Sequence, residues 1–438
     1  MLDLRKAIHT YDITTTKQLG KTFGCRAFGK HELVSSDFDI VRQVLMKDFV
    51  CFANRTNFIA PNPKNEHNVM QNLLILKEEE NWKRIRSLIS PAFSITNVKK
   101  QIPIYNECSK EFLQLLDCYA SQNEKILLHD VLSRLTLSIG AKCAFGIDIN
   151  ILSKDSSSPF LESAQSIFNR FDFDSPRLVI MAVFPGLIAW LENITHYQFL
   201  ANSELEFFKK VVLEELERRS IESDSKQDYG DFFQVLFNAL QSTSMDGTKS
   251  LSLIEMIAQS FIYLITSFGN ISFTAHLVLF ILSKEIEIQE KVRREIFDVI
   301  GDKDEVSYED LIKLQYTNQV IQETMRMYPL TARVVRDCTR TTTIKGIEIE
   351  KGVMFSVPVY AIHMEEEYYP NPTVFDPNRF SPEEVAKRDP LTFLPFGYGP
   401  RNCIAYRYVE MVIRMAIVYS IRHFKFSSPS NTPVRDHP

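Results

Sequence analysis

The chain has no uninterrupted apolar run of the ~20 residues that a membrane-spanning helix needs. Its first residues, MLDLRKAIHTYDITTTK, have neither the apolar core nor the layout of a signal peptide. The expectation is a chain that does not cross a bilayer. Its seven cysteines are scattered and odd in number, so no disulfide framework can be read from them and a reducing compartment fits better. A basic excess is missing too: a net charge of −5 argues against nucleic acid as a partner. There is no internal repeat and no low-complexity tract. The polar stretches 153–158 and 220–231 read as surface loops between helices, not as domain linkers.

What is present is a large hydrophobic share, 45% of 438 residues, enough to bury a substantial core. Helical periodicity runs through residues 96–121, 126–145, 202–220, 251–283 and 284–300. The first fifty residues mix β-like pieces (Cys25–Phe28, Glu32–Ser35) with a helix at Asp39–Lys47. From Thr339 to Val359 the pattern alternates about turns at Lys345-Gly346 and Lys351-Gly352, which predicts a small sheet. The expected fold class is mostly α with a minor β portion, an α+β fold.

One stretch concentrates chemistry: Phe396-Gly-Tyr-Gly-Pro-Arg-Asn-Cys403. Two glycines and a proline shape a tight loop, and a helical pattern follows it with Tyr408, Met411, Val412, Met415 and Tyr419 on one face. A sulfur at a helix N-terminus beside Arg401 has its thiolate favoured by the dipole and the cation. It could serve as a nucleophile or a metal ligand; a buried free cysteine is the plain alternative. Upstream, Trp82 and Arg86 lie one helical turn apart and together could clamp a carboxylate, although a surface tryptophan with an unrelated arginine reads equally well. Glu323 and Arg326, within a helix Tyr316–Tyr328 that Pro329 ends, would in isolation be a solvated pair worth a few tenths of a kcal/mol.

The loop pattern F-x-x-G-x-R-x-C-x-A resembles the haem-binding loop of the cytochromes P-450, the haem-thiolate monooxygenases; Ala405 stands where the family usually has a glycine. W-x-x-x-R (Trp82, Arg86), E-x-x-R (Glu323, Arg326) and Phe375-Asp-Pro-Asn-Arg379-Phe380 precede it in the family order. The resemblance spans about residues 11 to 427, and EEENWKRIRSLISPAF and FGYGPRNCIA look most like the microsomal, drug-metabolising animal branch. It implies the P-450 fold, with haem b between a distal long helix and the proximal cysteine-loop helix. Cys403 would ligate iron, and Phe396, Arg401, Trp82, Arg86, Arg55 and Arg336 would contact the cofactor. Glu323, Arg326 and Arg379 would form a buried charge network holding the loop.

The resemblance also implies one catalytic domain over 1–438, without the family's N-terminal anchor and last C-terminal strands. Electrons would come from an NADPH-cytochrome reductase, with a cytochrome b-type protein as a further donor, at the cytosolic face of the endoplasmic reticulum. Lys83, Arg84 and Arg407 are candidates for a positive docking patch. The substrate would be a lipophilic small molecule: a xenobiotic, a steroid or a fatty-acid-like compound. The apolar stretch Leu178–Trp190, broken at Pro185-Gly186, reads either as a buried helix pair or as a peripheral membrane contact with Trp190 at headgroup level.

One departure stands out. The helix Ser252–Lys284 should cross the distal side of the haem, where the family carries an acid–alcohol pair that delivers protons during oxygen activation. Here Gly269 replaces the acid and Asn270 the alcohol, with Ser267 or Ser272 as substitute relay groups. A glycine at this point also predicts a local groove or kink. Three outcomes stay open: a monooxygenase with a rebuilt proton route, an enzyme that rearranges a peroxide without external protons, and a haem-binding relative with little turnover.

Overall fold

The structure is a computed structural model; it describes residues 8–27, 30–56, 68–170, 180, 184–195, 202–222, 230–242 and 250–429. Helices α1 (Ile8–Leu19) and α2 (Phe38–Arg42) flank the hairpin of β1 (Thr22–Ala27) and β2 (Lys30–Ser35). Then come α3 (Glu79–Ile89), α4 (Ile95–Ser121), α5 (Leu128–Phe145), α6 (Pro159–Arg170), α7 (Pro185–Thr195), α8 (Asn202–Glu222) and α9 (Phe232–Gln241). The long α10 (Leu253–Lys284) is followed by α11 (Ile286–Ile300), α12 (Tyr308–Lys313) and α13 (Gln315–Met327). Strands β3 (Arg333–Asp337), β4 (Thr342–Ile344), β5 (Ile347–Ile349) and β6 (Met354–Pro358) lead to α14 (Val359–His363) and α15 (Tyr406–His423). The mostly helical α+β expectation holds. The loop expected at 220–231 lies largely outside the described residues, as does much of 178–190.

β1, β2, β6 and β3 form one sheet in that order. β2 runs parallel to β6, with Leu33 opposite Phe355, so the sheet joins the two ends of the chain. β4 and β5 form a separate hairpin. Its turn residues Lys345 and Gly346 have φ of 48° and 78°, the left-handed values a tight hairpin turn requires. Buried Arg333 ties α1 to this sheet: it donates to Asp12 Oδ2 and to Glu32 Oε1, both at 2.8 Å. One apolar core lies between α4, α5, α10 and α15, and a second covers the sheet, with Val41, Phe52, Phe355, Val357 and Leu394.

α10 runs through the main core. Ser252 and Glu255 cap its start reciprocally, satisfying two otherwise orphaned N–H groups. By length and composition α10 is apolar enough to cross a membrane, contrary to the expectation that no stretch is. Yet 78% of its apolar window is buried inside the fold, as a helix apolar all round should be at the centre of a core. Its Gln259 accepts from Leu74 N–H at 3.0 Å and donates to Asn72 O at 2.7 Å. Nearby, Asn68 donates to buried Glu192 of α7 at 3.4 Å. The segment after residue 67 is thereby held between α10 and α7.

The helical register of α10 widens into a π turn at Ser267–Ile271. Such turns accompany glycines and side chains that compete for the ladder. Both are present: Gly269 lies at its centre, and the Ser272 hydroxyl donates back to the carbonyls of Phe268 and Gly269. The expected groove or kink at Gly269 therefore takes the form of a π turn. Opposite it, Gly140 of α5 lets the two helices touch, since a Cβ at 140 would stand 2.8 Å from Ser267 Cβ. Gly140→Ala should thus destabilise the fold by about 1–3 kcal/mol, although helix propensity alone would favour alanine by ~1 kcal/mol. Urea denaturation would measure it; a net gain in stability would mean that α5 and α10 can part at this point without cost.

Candidate functional site

The Cys403 N–H donates to Phe396 O at 2.8 Å and so closes the cysteine loop. Gly397 and Gly399 have φ of 72° and 79°, which only glycine adopts readily. Gly399 is required twice over: a Cβ there would overlap the Leu45 carbonyl and come within 3.1 Å of Met46 Sδ. The loop therefore rests on the π-helical turn Gln43–Lys47. Behind it α15 buries Tyr408, Met411, Val412, Met415 and Tyr419 as the apolar pattern predicts.

Arg401 does not stand beside the sulfur, despite its place two residues before Cys403. Its guanidinium lies over the Trp82 ring, 4.5 Å from the centroid, and donates to Lys77 O at 2.5 Å. The cations that bear on the thiol are Arg55 and Arg86. Burial pushes the Cys403 thiol up, against the Ala405 N–H and those two charges, all of which favour the thiolate. Trp82 is buried, so the surface-tryptophan reading does not apply. Arg86 lies 5.7 Å from its ring centroid and grips Asn402, donating to its carbonyl at 2.9 Å and to Oδ1 at 2.8 Å. Arg55 donates to Arg401 O at 2.7 Å.

Arg336 completes the set from β3, donating to Val335 O at 2.8 Å. Arg55, Arg86, Arg336 and Arg401 thus converge from four separate segments, and among the described residues none forms an ion pair with a carboxylate. Glu78 acts on Arg401, but burial and the charges of Arg55 and Arg86 outweigh it and push that guanidinium down to about 9. Burial, then Arg55 and Arg401, push Arg336 well below the usual arginine range. Arg401 Nε and Nη1 and Arg336 Nε are buried without a hydrogen-bond acceptor. Unpaired buried cations are costly. Planar guanidiniums with spare N–H groups suit an anion carrying several acceptor oxygens, such as a pair of carboxylates.

Glu323, Arg326 and Arg379 also meet, in the opposite electrical arrangement. Fully buried Glu323 accepts from Arg326 twice, at 2.7 and 2.8 Å, and lies 3.4 Å from Arg379 Nε. Arg326 spends its remaining donors on His363 O and Pro372 O at 2.8 and 2.7 Å. His363 links this network to the loop. Its Nδ1 faces Arg326 O at 3.1 Å and its Nε2 accepts from Leu394 N–H at 2.9 Å. Burial pushes its pKa down to about 3, so it is neutral, with the proton on Nδ1 that these contacts require.

On α10, Asn270 is exposed while Ser267, Phe268, Gly269, Ile271 and Ser272 around it are buried. The structure does not bring Ser267 to Asn270. The Ser267 hydroxyl donates to Tyr263 O at 2.8 Å and meets the Tyr408 hydroxyl at 3.4 Å, on the side facing α5 and α15. Ser272 is likewise engaged with backbone carbonyls. Neither serine is presented as a relay partner for Asn270. Gly269 is covered by the ring of Phe168 from α6.

The comparison with known proteins settles the family. The family described as Cytochrome P450 matches residues 1–438. The chain belongs to the cytochrome P450 family. Similar proteins include Cytochrome P450 3A16 of Mus musculus, 31% identical over 437 residues covering 99% of this chain and 84% of the relative. Cytochrome P450 3A29 of Sus scrofa is also 31% identical, over 437 residues and the same shares of each chain. Cytochrome P450 3A9 of Rattus norvegicus is 29% identical over 435 residues, again 99% of this chain and 84% of the relative. This P450 is therefore a haem-dependent oxidoreductase of the monooxygenase type.

Asn402, His363 and Phe168 escaped the sequence reading. Asn402 sits inside the recognised loop and carried a signal only by that position. A single histidine and a single phenylalanine carried none. Glu323→Ala should cost about 3–5 kcal/mol, the usual loss when one partner leaves a buried charge network, measured by chemical denaturation. A loss below about 1 kcal/mol would mean that the backbone carbonyls alone can accommodate Arg326.

Proposed function

We propose that this P450 binds haem b through Cys403 and inserts one atom of dioxygen into a lipophilic small molecule: a xenobiotic, a steroid or a fatty-acid-like compound. The observation that supports this reading most strongly is the cluster of Arg55, Arg86, Arg336 and Arg401 around the cysteine loop, unpaired by any described carboxylate. In this reading those four guanidiniums and Trp82 hold the propionates, and Phe396 lies along the loop that presents the sulfur. Haem, when bound, supplies the oxygen-activating redox chemistry, with the thiolate as its electron-donating ligand. Burial raises the Cys403 thiol, and Arg55 and Arg86 act against that rise; bound iron would supply the further positive charge that holds the sulfur as thiolate. The cysteine loop is rigid because Gly399 abuts Leu45 and because His363 and Arg86 fix its flanks.

Asn270 is the polar group offered on the exposed face of the π turn. A carboxamide donates and accepts hydrogen bonds but does not release a proton at neutral pH. It can orient a water without acting as an acid, so protons reach the distal side from solvent with little direction. Positioned proton delivery is commonly worth ~10²–10⁴-fold, and its absence should appear as NADPH consumed without product. Restoring the acid at 269 requires displacing Phe168, whereas Asn270→Thr returns the alcohol without a clash from a new Cβ. That variant should raise product per NADPH; an unchanged ratio would point to a proton route elsewhere. The same replaced pair also suits peroxide rearrangement, which would show as product formed from an organic hydroperoxide without reductase.

The described part of the 178–190 stretch supports a membrane contact. Leu187, Trp190, Leu191 and Ile194 form an exposed i, i+3, i+4, i+7 stripe on α7 with Phe184 beside it, while Ile188 and Glu192 face inward. That is the pattern of a helix lying in an interface, and it suits the cytosolic face of the endoplasmic reticulum. For reduction by an NADPH-cytochrome reductase or a cytochrome b-type donor, Lys83 and Arg407 are exposed. Arg84 is not part of such a patch, because it is paired with buried Glu255 at 2.5 Å and donates to Ser250 O.

The deciding experiment is the spectrum of the ferrous carbonyl complex of the haem-loaded protein. A strongly red-shifted Soret band is expected and should be lost in Cys403→Ser. An imidazole-like band in the unaltered protein would overturn the ligand assignment.

A further inference from the structure

Both ring nitrogens of buried His363 face a backbone partner, Arg326 O at 3.1 Å and Leu394 N–H at 2.9 Å. His276 of α10 is held differently. Its Nδ1 is buried and has no hydrogen-bond partner among the described residues. Its ring is flanked on its own helix by Phe273 and Phe280, at 6.4 and 6.2 Å between centroids. From the first turn of α5, exposed His129 faces it at 6.0 Å between centroids and an interplanar angle of 57°. Burial, joined for His276 by the charge of His129, pushes both imidazoles down, His276 to about 4. Both rings are therefore neutral at pH 7, each with one nitrogen lone pair to offer.

We propose that His129 and His276 form a site for a divalent transition-metal ion of the zinc class, which clamps α5 to α10. An imidazole nitrogen lies about 1 Å from its ring centre, and zinc binds about 2.1 Å beyond the nitrogen. Two ligating rings therefore have centroids about 5 Å apart at a tetrahedral angle and about 6 Å apart when nearly opposed. The observed 6.0 Å is at the open end of that range, and the exposed His129 ring has room to close it. Two imidazoles completed by water suit zinc, nickel or copper; magnesium and calcium prefer oxygen ligands. The carboxylate of Asp130 adds negative charge beside His129, although it also accepts from Arg134 at 3.2 Å.

The acidic trio Glu107, Glu111 and Asp148 also gathers metal-ligating oxygens, but it already holds a cation. The Lys142 ammonium lies 3.2, 3.4 and 2.7 Å from those three carboxylates. No lysine or arginine charge bears on the two histidines, so among the described residues nothing occupies their lone pairs in the same way. His276 stands a little over one helical turn beyond Ile271, where the π turn of α10 ends. A bound ion there would add a second fastening between the helices that already touch at Gly140 and Ser267.

The test titrates zinc chloride into the full, haem-loaded chain in a calorimeter, after metal has been stripped with a chelator and the chelator removed. One saturable site is expected, weakened at least about ten-fold in both His129→Ala and His276→Gln. Magnesium chloride should show no such site. The thermal midpoint of the unaltered protein should rise with zinc concentration, and the rise should vanish in both variants. Their midpoints without metal show that they fold, and His129→Ala changes only an exposed side chain. Zinc affinity reduced less than about three-fold in either variant, or no saturation by about 1 mM zinc, would overturn the proposal. A midpoint that rises equally in the variants would place the ion elsewhere, on a free thiol for example, and would overturn it too.

Discussion

Four clustered guanidiniums, two buried (Arg336, Arg401) and two partly buried (Arg55, Arg86), with no carboxylate partner among the described residues, are the constraint around which this protein is arranged. Each of Arg55, Arg86, Arg336 and Arg401 comes from a different part of the chain, and each spends some N–H groups on backbone or amide oxygens. Those contacts satisfy hydrogen-bonding geometry but not charge. Burial, and then mutual repulsion, push Arg401 and Arg336 down from the usual arginine range, a direction opposite to that of the ion-paired Arg333. Arg333, buried in the same sheet but held by Asp12 and Glu32, is pushed up instead. The contrast between two arginines three residues apart on one strand separates a finished structural pair from a site built for an anion.

The Glu323 network is finished in the same sense. Its carboxylate accepts from Arg326 through both oxygens and from Asp376 N–H, so Glu323 and Arg326 form a neutral, hydrogen-bonded pair with Arg379 beside it. What it contributes to the site is indirect: through Arg326, His363 and Leu394 it fixes the segment that leads into the cysteine loop. The protein thus divides its buried charge between a carboxylate-centred network around Glu323 and an arginine cluster that has no carboxylate partner among the described residues.

Much of this was legible before any coordinates. Helical periodicity located α4, α5, α8, α10 and α11 within a few residues, because long amphipathic or wholly apolar helices repeat their pattern many times. Spacing brought Trp82 and Arg86 onto one helix face, and the family resemblance brought Glu323, Arg326 and Arg379 together; both groups of side chains meet. The parallel pairing of β2 with β6 was not legible, since each strand is short and the partners are distant in sequence. Adjacency misled for Arg401: the turn at Gly399 aims its side chain away from Cys403 and onto Trp82. Ser267 was likewise not placed by the sequence: it packs against Gly140 of α5 and meets Tyr408 of α15. Both residues lie where backbone geometry departs from the regular helix that sequence patterns assume.

The approach of Gly399 to Leu45, with the hydrogen bond from Arg55 to a carbonyl 346 positions further along, bears on how the protein is made. Contacts so distant in sequence close late, since the chain between them must be largely ordered first. The early segment around Leu45 and Arg55 is synthesised long before its partners and must wait with its apolar face uncovered. The cysteine loop then completes its own support only as the final helix docks. The cysteine loop and the segment around Leu45 and Arg55 thus support one another across most of the chain. A substitution at Gly399 or Arg55 is therefore felt at both the beginning and the end of the described fold, not at one local element.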